Sequence, residues 1–188
     1  FIDGNWSPSS NKETYEVINP ATEEVLGHAS KATPADVDRA LKSAEKGLKD
    51  WKKITAWERS YILRRIADKL REKKDVLAKW MTLENGKPLA EGIGETNGAA
   101  DIFEWNAEET KRIFGQTIES RFEDTRVHVY YQPVGVVAAL SPWNFPLILA
   151  ARKISTALAA GCSVIIKPDT ITPGVVMELV DICRECGV

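Results

Sequence analysis

Apolar residues recur every three or four positions through most of the first 114 residues, which is the spacing of amphipathic helices. One helix is predicted after the N-cap Thr33, with Pro34 in its first position. A second begins at the capping box of Thr55 and Glu58. A third ends at Asn85-Gly86, where the glycine provides a left-handed C-cap. This part of the chain is therefore predicted to form a helical layer.

A fourth helix is predicted over about residues 89–114, ended by Gly115. It contains Gly92, Gly94 and Gly98, and a glycine inside a helix costs roughly 1 kcal/mol relative to alanine. Either a close neighbour requires these glycines or the helix is broken there.

Strand patterns appear at the start of the chain and again in its second half. Four short strands are predicted at residues 1–2, 15–18, 25–29 and 127–131, the last with one solvated face. The run VGVVAAL at residues 134–140 is almost wholly apolar, as in a strand that is buried on both faces. A helix at residues 146–160 separates it from a second buried strand, SVIIK, at residues 163–167. Thr172 is the predicted N-cap of a last helix.

Two parallel strands joined by a helix form the unit that binds nucleotides outside the carboxyl ends of its strands. Polar residues stand at those ends, Trp143-Asn144 after the first strand and residues 167–170 at the second. The predicted class is α/β, a helical layer plus the start of a Rossmann-like parallel sheet. Two parallel strands leave faces and edges uncovered, so we expect the chain to be the N-terminal part of a larger fold.

The pattern predicts three parts. Residues 1–114 hold the N-terminal strands and helices, and residues 134–188 hold the first βαβα unit. Residues 115–133 form a strand segment whose edge invites pairing in an oligomerisation sheet, and the alternative is an ordinary surface hairpin.

Composition excludes several classes of protein. The net charge of −2 gives no indication of a nucleic acid or membrane partner, and no apolar run approaches the length of a bilayer span. The three cysteines, Cys162, Cys183 and Cys186, do not form a disulfide framework, which favours a reducing compartment, and we expect the cytoplasm. Because no second pair or histidine accompanies Cys183 and Cys186, they are predicted to be ordinary cysteines and no metal site is expected.

Two polar residues are candidates for chemistry. Pro142 and Pro146 hold Asn144 in a rigid turn, so its amide can donate to a carbonyl oxygen under nucleophilic attack, as in an oxyanion hole. The alternative is an asparagine that bonds a neighbouring loop. Lys167 can reach a ribose hydroxyl or a phosphate, although a lysine at a strand end is commonly just solvated.

The motifs SPWNFP, ARK, ALAAG and IIKP at their spacings resemble the aldehyde dehydrogenase superfamily. The upstream LENGKPLAEGIGE, EWNAEETKRIFG, FIDGNW and INPATEEVLG are similar to its succinate-semialdehyde dehydrogenase branch. The resemblance covers essentially the whole chain and implies that somewhat over a third of a family member is present. It also implies a homodimer or homotetramer.

The resemblance implies oxidation of an aldehyde through a cysteine thioester, with hydride transfer to NAD or NADP and hydrolysis assisted by a glutamate. In the family both the cysteine and the glutamate lie downstream of this segment. None of the three cysteines here is therefore assigned as the nucleophile, and the 188 residues alone are expected to be inactive. Asn144 would donate to the oxyanion, and Lys153 would support the charge of the site. The implied cofactor-binding residues are Leu140, Ser141, Pro142, Trp143, Asn144, Lys167, Asp169 and Thr170.

The resemblance bears on the choice of cofactor at Thr170. NAD-preferring relatives have a glutamate there, whose carboxylate would repel a 2′-phosphate, whereas Thr170 offers a neutral hydroxyl and Lys167 a positive charge. Asp169 places a negative charge beside them. NADP is therefore slightly favoured over NAD.

The resemblance also implies a substrate with a carboxylate. Arg152 is similar to an arginine that holds the far carboxylate of a semialdehyde, and its fork suits a bidentate contact. Phe145 and Leu149 would form apolar walls of the same tunnel. The alternatives are a helix-surface arginine in an ordinary ion pair, another small aldehyde as substrate, or a truncated, non-catalytic fragment that binds nucleotide or partner subunits.

Overall fold

The computed structural model describes all residues 1–188 as six strands and six helices. In chain order they are β1 (Thr14–Ile18), β2 (Val25–Ser30), α1 (Pro34–Trp51), α2 (Ala56–Glu72), α3 (Lys74–Asn85), α4 (Leu89–Thr110), β3 (Gln116–Glu119), β4 (Arg126–Val129), β5 (Val136–Leu140), α5 (Pro146–Ala159), β6 (Ser163–Lys167) and α6 (Pro173–Glu185). The α/β class predicted from the sequence is confirmed.

The core lies between the helices, where α2, α3 and α5 pack against α4. Its largest side chains are completely buried, among them Leu63, Phe103, Leu147 and Leu179. Each belongs to a different helix, so one apolar cluster joins the helical layer to the helices that follow β5 and β6. That cluster fixes where the two strand ends lie.

Helix α4 continues through its three glycines without a break. A Cβ atom on Gly92 would lie 3.1 Å from the Cα atom of Ala78 in α3, and one on Gly98 would lie 3.0 Å from Ile148 in α5. Close neighbours therefore explain these two glycines, whereas Gly94 faces open space. The helix ends at Thr110, earlier than predicted, because its last turn tightens into i to i−3 hydrogen bonds and the exposed Phe114 has no core to pack against.

Strands β5 and β6 pair in parallel, with Leu140 opposite Lys167. The two strands therefore lie side by side as predicted. The expectation of burial on both faces is only partly met, since Leu140 and Ala138 are exposed. These two residues are two positions apart and so point to the same face of the sheet, which is left partly uncovered.

The other strands form two antiparallel pairs, β1 with β2 and β3 with β4. The predicted strand at residues 1–2 is reduced to a single bridge between Ile2 and Asn5. β4 was predicted to have one solvated face, but every residue in it except Val129 is exposed, because its main contact is the pairing with β3 along one edge.

Three predicted helix caps are confirmed. Thr33 and Thr55 each form a capping box at a helix N-terminus, and Gly86, with φ of 78°, forms the left-handed C-cap of α3. The predicted cap at Thr172 is wrong. Its hydroxyl makes no hydrogen bond, and the first amides of α6 bond to the Glu84 carboxylate instead.

Candidate active site

The turn after β5 and the end of β6 meet at one edge of the parallel sheet. The backbone N–H of Ser141 donates to the carbonyl oxygen of Lys167 over 3.1 Å, which continues the pairing past Leu140. Asn144 follows three residues later in the chain. The structure thus brings the two polar segments together at the carboxyl end of the strands, where such sheets bind ligands.

The turn presents its central side chains to solvent. Trp143, Asn144 and Phe145 are exposed between the exposed Pro142 and the buried Pro146, which begins α5. The side-chain amide of Asn144 makes no hydrogen bond to the protein. The alternative in which this amide bonds a neighbouring loop is therefore not observed, and the amide is available to a ligand.

The backbone of the turn is held by the last residue of α3 and by the segment that joins α3 to α4. Asn85 Nδ2 donates to the carbonyl oxygen of Trp143 over 2.9 Å, and Lys87 Nζ donates to that of Asn144 over 3.0 Å. The ammonium of Lys87 also lies 3.9 Å from the ring centroid of Phe145, a cation–π geometry. Three consecutive residues of the turn therefore contact two side chains, those of Asn85 and Lys87.

Lys87 is buried, and it forms an ion pair with Glu95 of α4, which is buried as well. The other carboxylate oxygen of Glu95 accepts from the backbone N–H of Leu147 over 3.0 Å and of Ile148 over 3.1 Å. A carboxylate at this place satisfies free amides of the first turn of α5 and interacts favourably with the helix dipole. Glu95 thus caps the helix that follows the turn.

The helix after β6 is capped in the same way from a distance. Glu84, completely buried, accepts from the backbone N–H of Gly174 and of Val175, both over 2.8 Å. Burial raises the pKa of Glu84 to about 7, and the two backbone hydrogen bonds oppose that rise by stabilising the carboxylate.

The residues predicted to contact the substrate lie on α5 or immediately before it. Leu149 and Arg152 lie three positions apart on α5, and Lys153, predicted to support the charge of the site, lies one residue further on. Phe145 is the N-cap residue that precedes the helix. Arg152 is exposed, and its guanidinium makes no ion pair or hydrogen bond within the chain, so the ion-pair alternative is not observed. The ammonium of Lys153 donates to the carbonyl oxygen of Leu149 over 3.3 Å and so lies back along the helix.

The last residue of β6 and the turn that follows it carry the residues predicted to bind the ribose. Lys167 and Thr170 are exposed and their side chains have no partner in the chain. The Asp169 carboxylate accepts from the backbone N–H of Ile171 over 3.1 Å, an Asx turn. Its negative charge is thereby held within the turn.

A dinucleotide fits part of this edge. The Ser141 hydroxyl is buried without a partner, which leaves a polar group for a ligand, and the free ammonium of Lys167 stands beside the same strand end. The first amides of α5 and α6 are already bonded to Glu95 and Glu84, so these helix ends offer no free amide pair to a pyrophosphate. The sequence likewise has no G-x-G-x-x-G turn.

The three cysteines are free and buried. Burial raises the pKa of the Cys183 thiol, which opposes formation of a thiolate. No group of three histidine, cysteine, aspartate or glutamate side chains could hold a metal ion. No helix is both long enough and apolar enough to cross a bilayer.

The sequence matches the aldehyde dehydrogenase family over residues 6–188. The chain is 46% identical over 188 residues to a glutarate-semialdehyde dehydrogenase of Pseudomonas putida, and 43% identical over the same length to an NADP(+) succinate-semialdehyde dehydrogenase of Escherichia coli. It covers 39% of each of those proteins.

Among solved structures, an NADP-dependent enzyme of E. coli superposes with a TM-score of 0.99 at 43% identity, over 100% of this chain and 39% of the other. This fold, the motif that forms the Asn144 turn and the family match over nearly the whole length agree with one another. The chain belongs to the aldehyde dehydrogenase family.

Proposed function

We propose that this chain is the N-terminal portion of an NAD(P)-dependent dehydrogenase that oxidises a small aldehyde to the corresponding acid. The observation that carries the proposal is the free side-chain amide of Asn144, in a proline-bounded turn at the sheet edge that Lys167 also borders. Family membership supplies the reaction class.

Asn144 is proposed to donate a hydrogen bond to the carbonyl oxygen of the aldehyde as negative charge develops on it. A donor that is fixed before the reaction costs no reorganisation, which is why such donors are effective. When bound, the nicotinamide supplies the hydride acceptor. None of the three buried cysteines is proposed as nucleophile.

The proposed substrate carries a carboxylate. Arg152 is exposed on α5, three positions after Leu149, and its guanidinium is unpaired, so a bidentate contact to a carboxylate is open to it. The names of the relatives, glutarate- and succinate-semialdehyde dehydrogenase, denote such substrates. Lys153, on the same helix, is proposed to add positive charge to the site.

NADP is the proposed cofactor, with NAD as the alternative. Lys167 would contact the adenosine ribose, and Thr170 would leave room for a 2′-phosphate without a carboxylate to repel it. The bond from Ile171 to Asp169 supports the proposal, because it directs that carboxylate into its own turn. The name of the E. coli relative includes NADP(+). The remaining contacts are proposed along Leu140, Ser141, Pro142 and Trp143.

The β3–β4 hairpin is proposed to join a sheet between subunits of a homo-oligomer. Three of the four residues in β4 and all four in β3 are exposed, and both strands have a free edge. The cytoplasm is the proposed location, since the three cysteines are free.

The test is the substitution Asn144→Ala in the complete protein, with Asn97→Ala, at an exposed position of α4, as matched control. We expect kcat to fall by about 10²- to 10³-fold, as for loss of one oxyanion donor, while the KM for the aldehyde changes little. Asn97→Ala should leave both unchanged. An unaltered kcat in Asn144→Ala would contradict the proposal.

A further inference from the structure

We propose that Asn85, Lys87 and Glu95 are positioning residues for Asn144, and we refer to them as the α3–α4 clamp. The clamp holds the backbone on both sides of Asn144 and so determines where its side-chain amide lies. This inference rests on the proposed role of Asn144 as the donor to the oxyanion.

The clamp makes hydrogen bonds to four residues of the turn and of the start of α5. The carbonyl groups of Trp143 and Asn144 make no hydrogen bond other than those from Asn85 and Lys87. Immediately afterwards, Glu95 accepts from Leu147 and Ile148. Of the turn's own backbone groups, Ser141 donates to β6 and Phe145 accepts from within α5. The clamp therefore makes both hydrogen bonds to the carbonyl groups of Trp143 and Asn144, and it also bonds the amides of Leu147 and Ile148.

The charges of the clamp are buried, which is costly unless each is paired and hydrogen-bonded. The side chains of Lys87 and Glu95 are 6% and 1% exposed. Lys87 directs one ammonium at the Glu95 carboxylate, the Asn144 carbonyl oxygen and the face of Phe145. Glu95 divides its two oxygens between Lys87 and the start of α5. Pairing of this kind fixes the positions of the groups it joins more firmly than an exposed lysine could.

A carbonyl fixed at 3.0 Å from Lys87 and a helix start fixed by Glu95 leave the Cα atom of Asn144 little freedom. The side-chain amide of Asn144 is proposed to stabilise the charge that develops on the carbonyl oxygen of the aldehyde. A small displacement of the amide would lengthen that hydrogen bond and weaken the stabilisation. A displacement of about 1 Å in such a group can cost roughly 100-fold in rate. A loosened clamp should therefore lower kcat while the nucleotide contacts of the neighbouring strand remain.

The test is the double substitution Lys87→Met with Glu95→Gln in the complete protein. It removes both charges together, so neither is left buried alone, and the glutamine oxygen can still accept from Leu147 and Ile148. We expect kcat to fall by about 10- to 100-fold, and the dissociation constant of the cofactor, measured by fluorescence titration, to change much less, because Lys167 and Thr170 are untouched.

A matched control exists in Lys111→Met with Glu108→Gln. Lys111 pairs with Glu108 over 3.0 Å and lies 5.3 Å from the ring centroid of Trp57, so the same groups are removed at a distance from the turn. This control should keep the kcat of the unchanged protein.

The decisive readout is the same clamp substitution in an Asn144→Ala background. If the clamp acts through Asn144, it causes no further loss of kcat there. An equal loss in both backgrounds, or no loss in either, overturns the inference. If Asn144→Ala alone has no effect, the proposed function fails instead, and the two failures are thereby distinguished.

Asn85→Ala provides a milder variant should the double substitution prevent folding. It removes only the bond to the Trp143 carbonyl, from a side chain that is not fully buried. We expect a smaller loss of kcat than in the double variant, and this loss should also disappear in the Asn144→Ala background. Persistence of the loss there overturns the inference.

Discussion

The carboxylate of Glu84, near the end of α3, accepts a hydrogen bond over 2.8 Å from the backbone N–H of Gly174, 90 positions further along the chain. The same carboxylate accepts from Val175, so the first turn of α6 is capped by a buried acid. Because no lysine or arginine pairs with Glu84, the cost of its burial is compensated only by these two amides. The pKa of this group is accordingly raised to about 7.

A pH dependence of stability follows from this pKa. Below the ordinary value of 4.5 both folded and unfolded states hold the proton, and between 4.5 and about 7 the unfolded state releases it while the folded state keeps it. Stability should therefore fall as the pH rises through this window, by about 3 kcal/mol, and then level off.

Urea unfolding at a series of pH values between 5 and 8 measures this slope. Glu84→Gln, which has no titrating group at this position, is the control and should lack the slope. If both proteins lose stability in parallel over the window, Glu84 is not its source.

Replacing Gly92 or Gly94 of α4 by alanine should change stability in opposite directions, because only Gly92 has a close neighbour. Gly94→Ala should stabilise the protein by up to about 1 kcal/mol, since its Cβ atom would meet open space. Gly92→Ala should destabilise it by about 1 to 3 kcal/mol, since the new Cβ atom would overpack against Ala78. The free energies of unfolding of the two variants decide the matter, and equal values would show that the packing against Ala78 is not restrictive.

Arg152→Ala should raise the KM for an acidic semialdehyde by about tenfold or more, as expected for the loss of hydrogen bonds between charged groups. The KM for an uncharged aldehyde of similar length should change little. Arg112→Ala, at an exposed arginine outside α5, is the matched control. Equal increases for both aldehydes would refute the contact with a carboxylate.

Thr170→Glu should reduce kcat/KM with NADP about tenfold or more, and much less with NAD. The new carboxylate would lie near the 2′-phosphate, and two like charges about 4 Å apart near a protein surface repel by a few kcal/mol before salt screening. Steady-state kinetics with both cofactors measures the effect. A strong preference of the unaltered protein for NAD would contradict the proposed cofactor.

Features that depend on near neighbours in sequence were predicted well. The capping boxes at Thr33 and Thr55 and the left-handed Gly86 involve groups three or four residues apart, so their chemistry is visible in a short segment. The parallel pairing of β5 and β6 also followed from two apolar runs joined by a helix.

Features that depend on distant partners could not be predicted in the same way. Thr172 has the sequence of an N-cap, yet Glu84 from α3 bonds the amides that Thr172 was expected to cap. Glu95 and Lys87 act on residues 52 to 57 positions away, and nothing in their immediate surroundings specifies those partners. Their only sequence signal is an acidic residue within α4 and a lysine in the short segment that joins α3 to α4.

The contacts of Glu84 and Asn85 have a mechanical consequence. These adjacent residues are anchored to different turns, one to the start of α6 and the other to the carbonyl of Trp143. A shift of the last turn of α3 is therefore expected to move the turn after β5 and the first turn of α6 together. The distance between these two turns should then stay nearly constant when α3 moves.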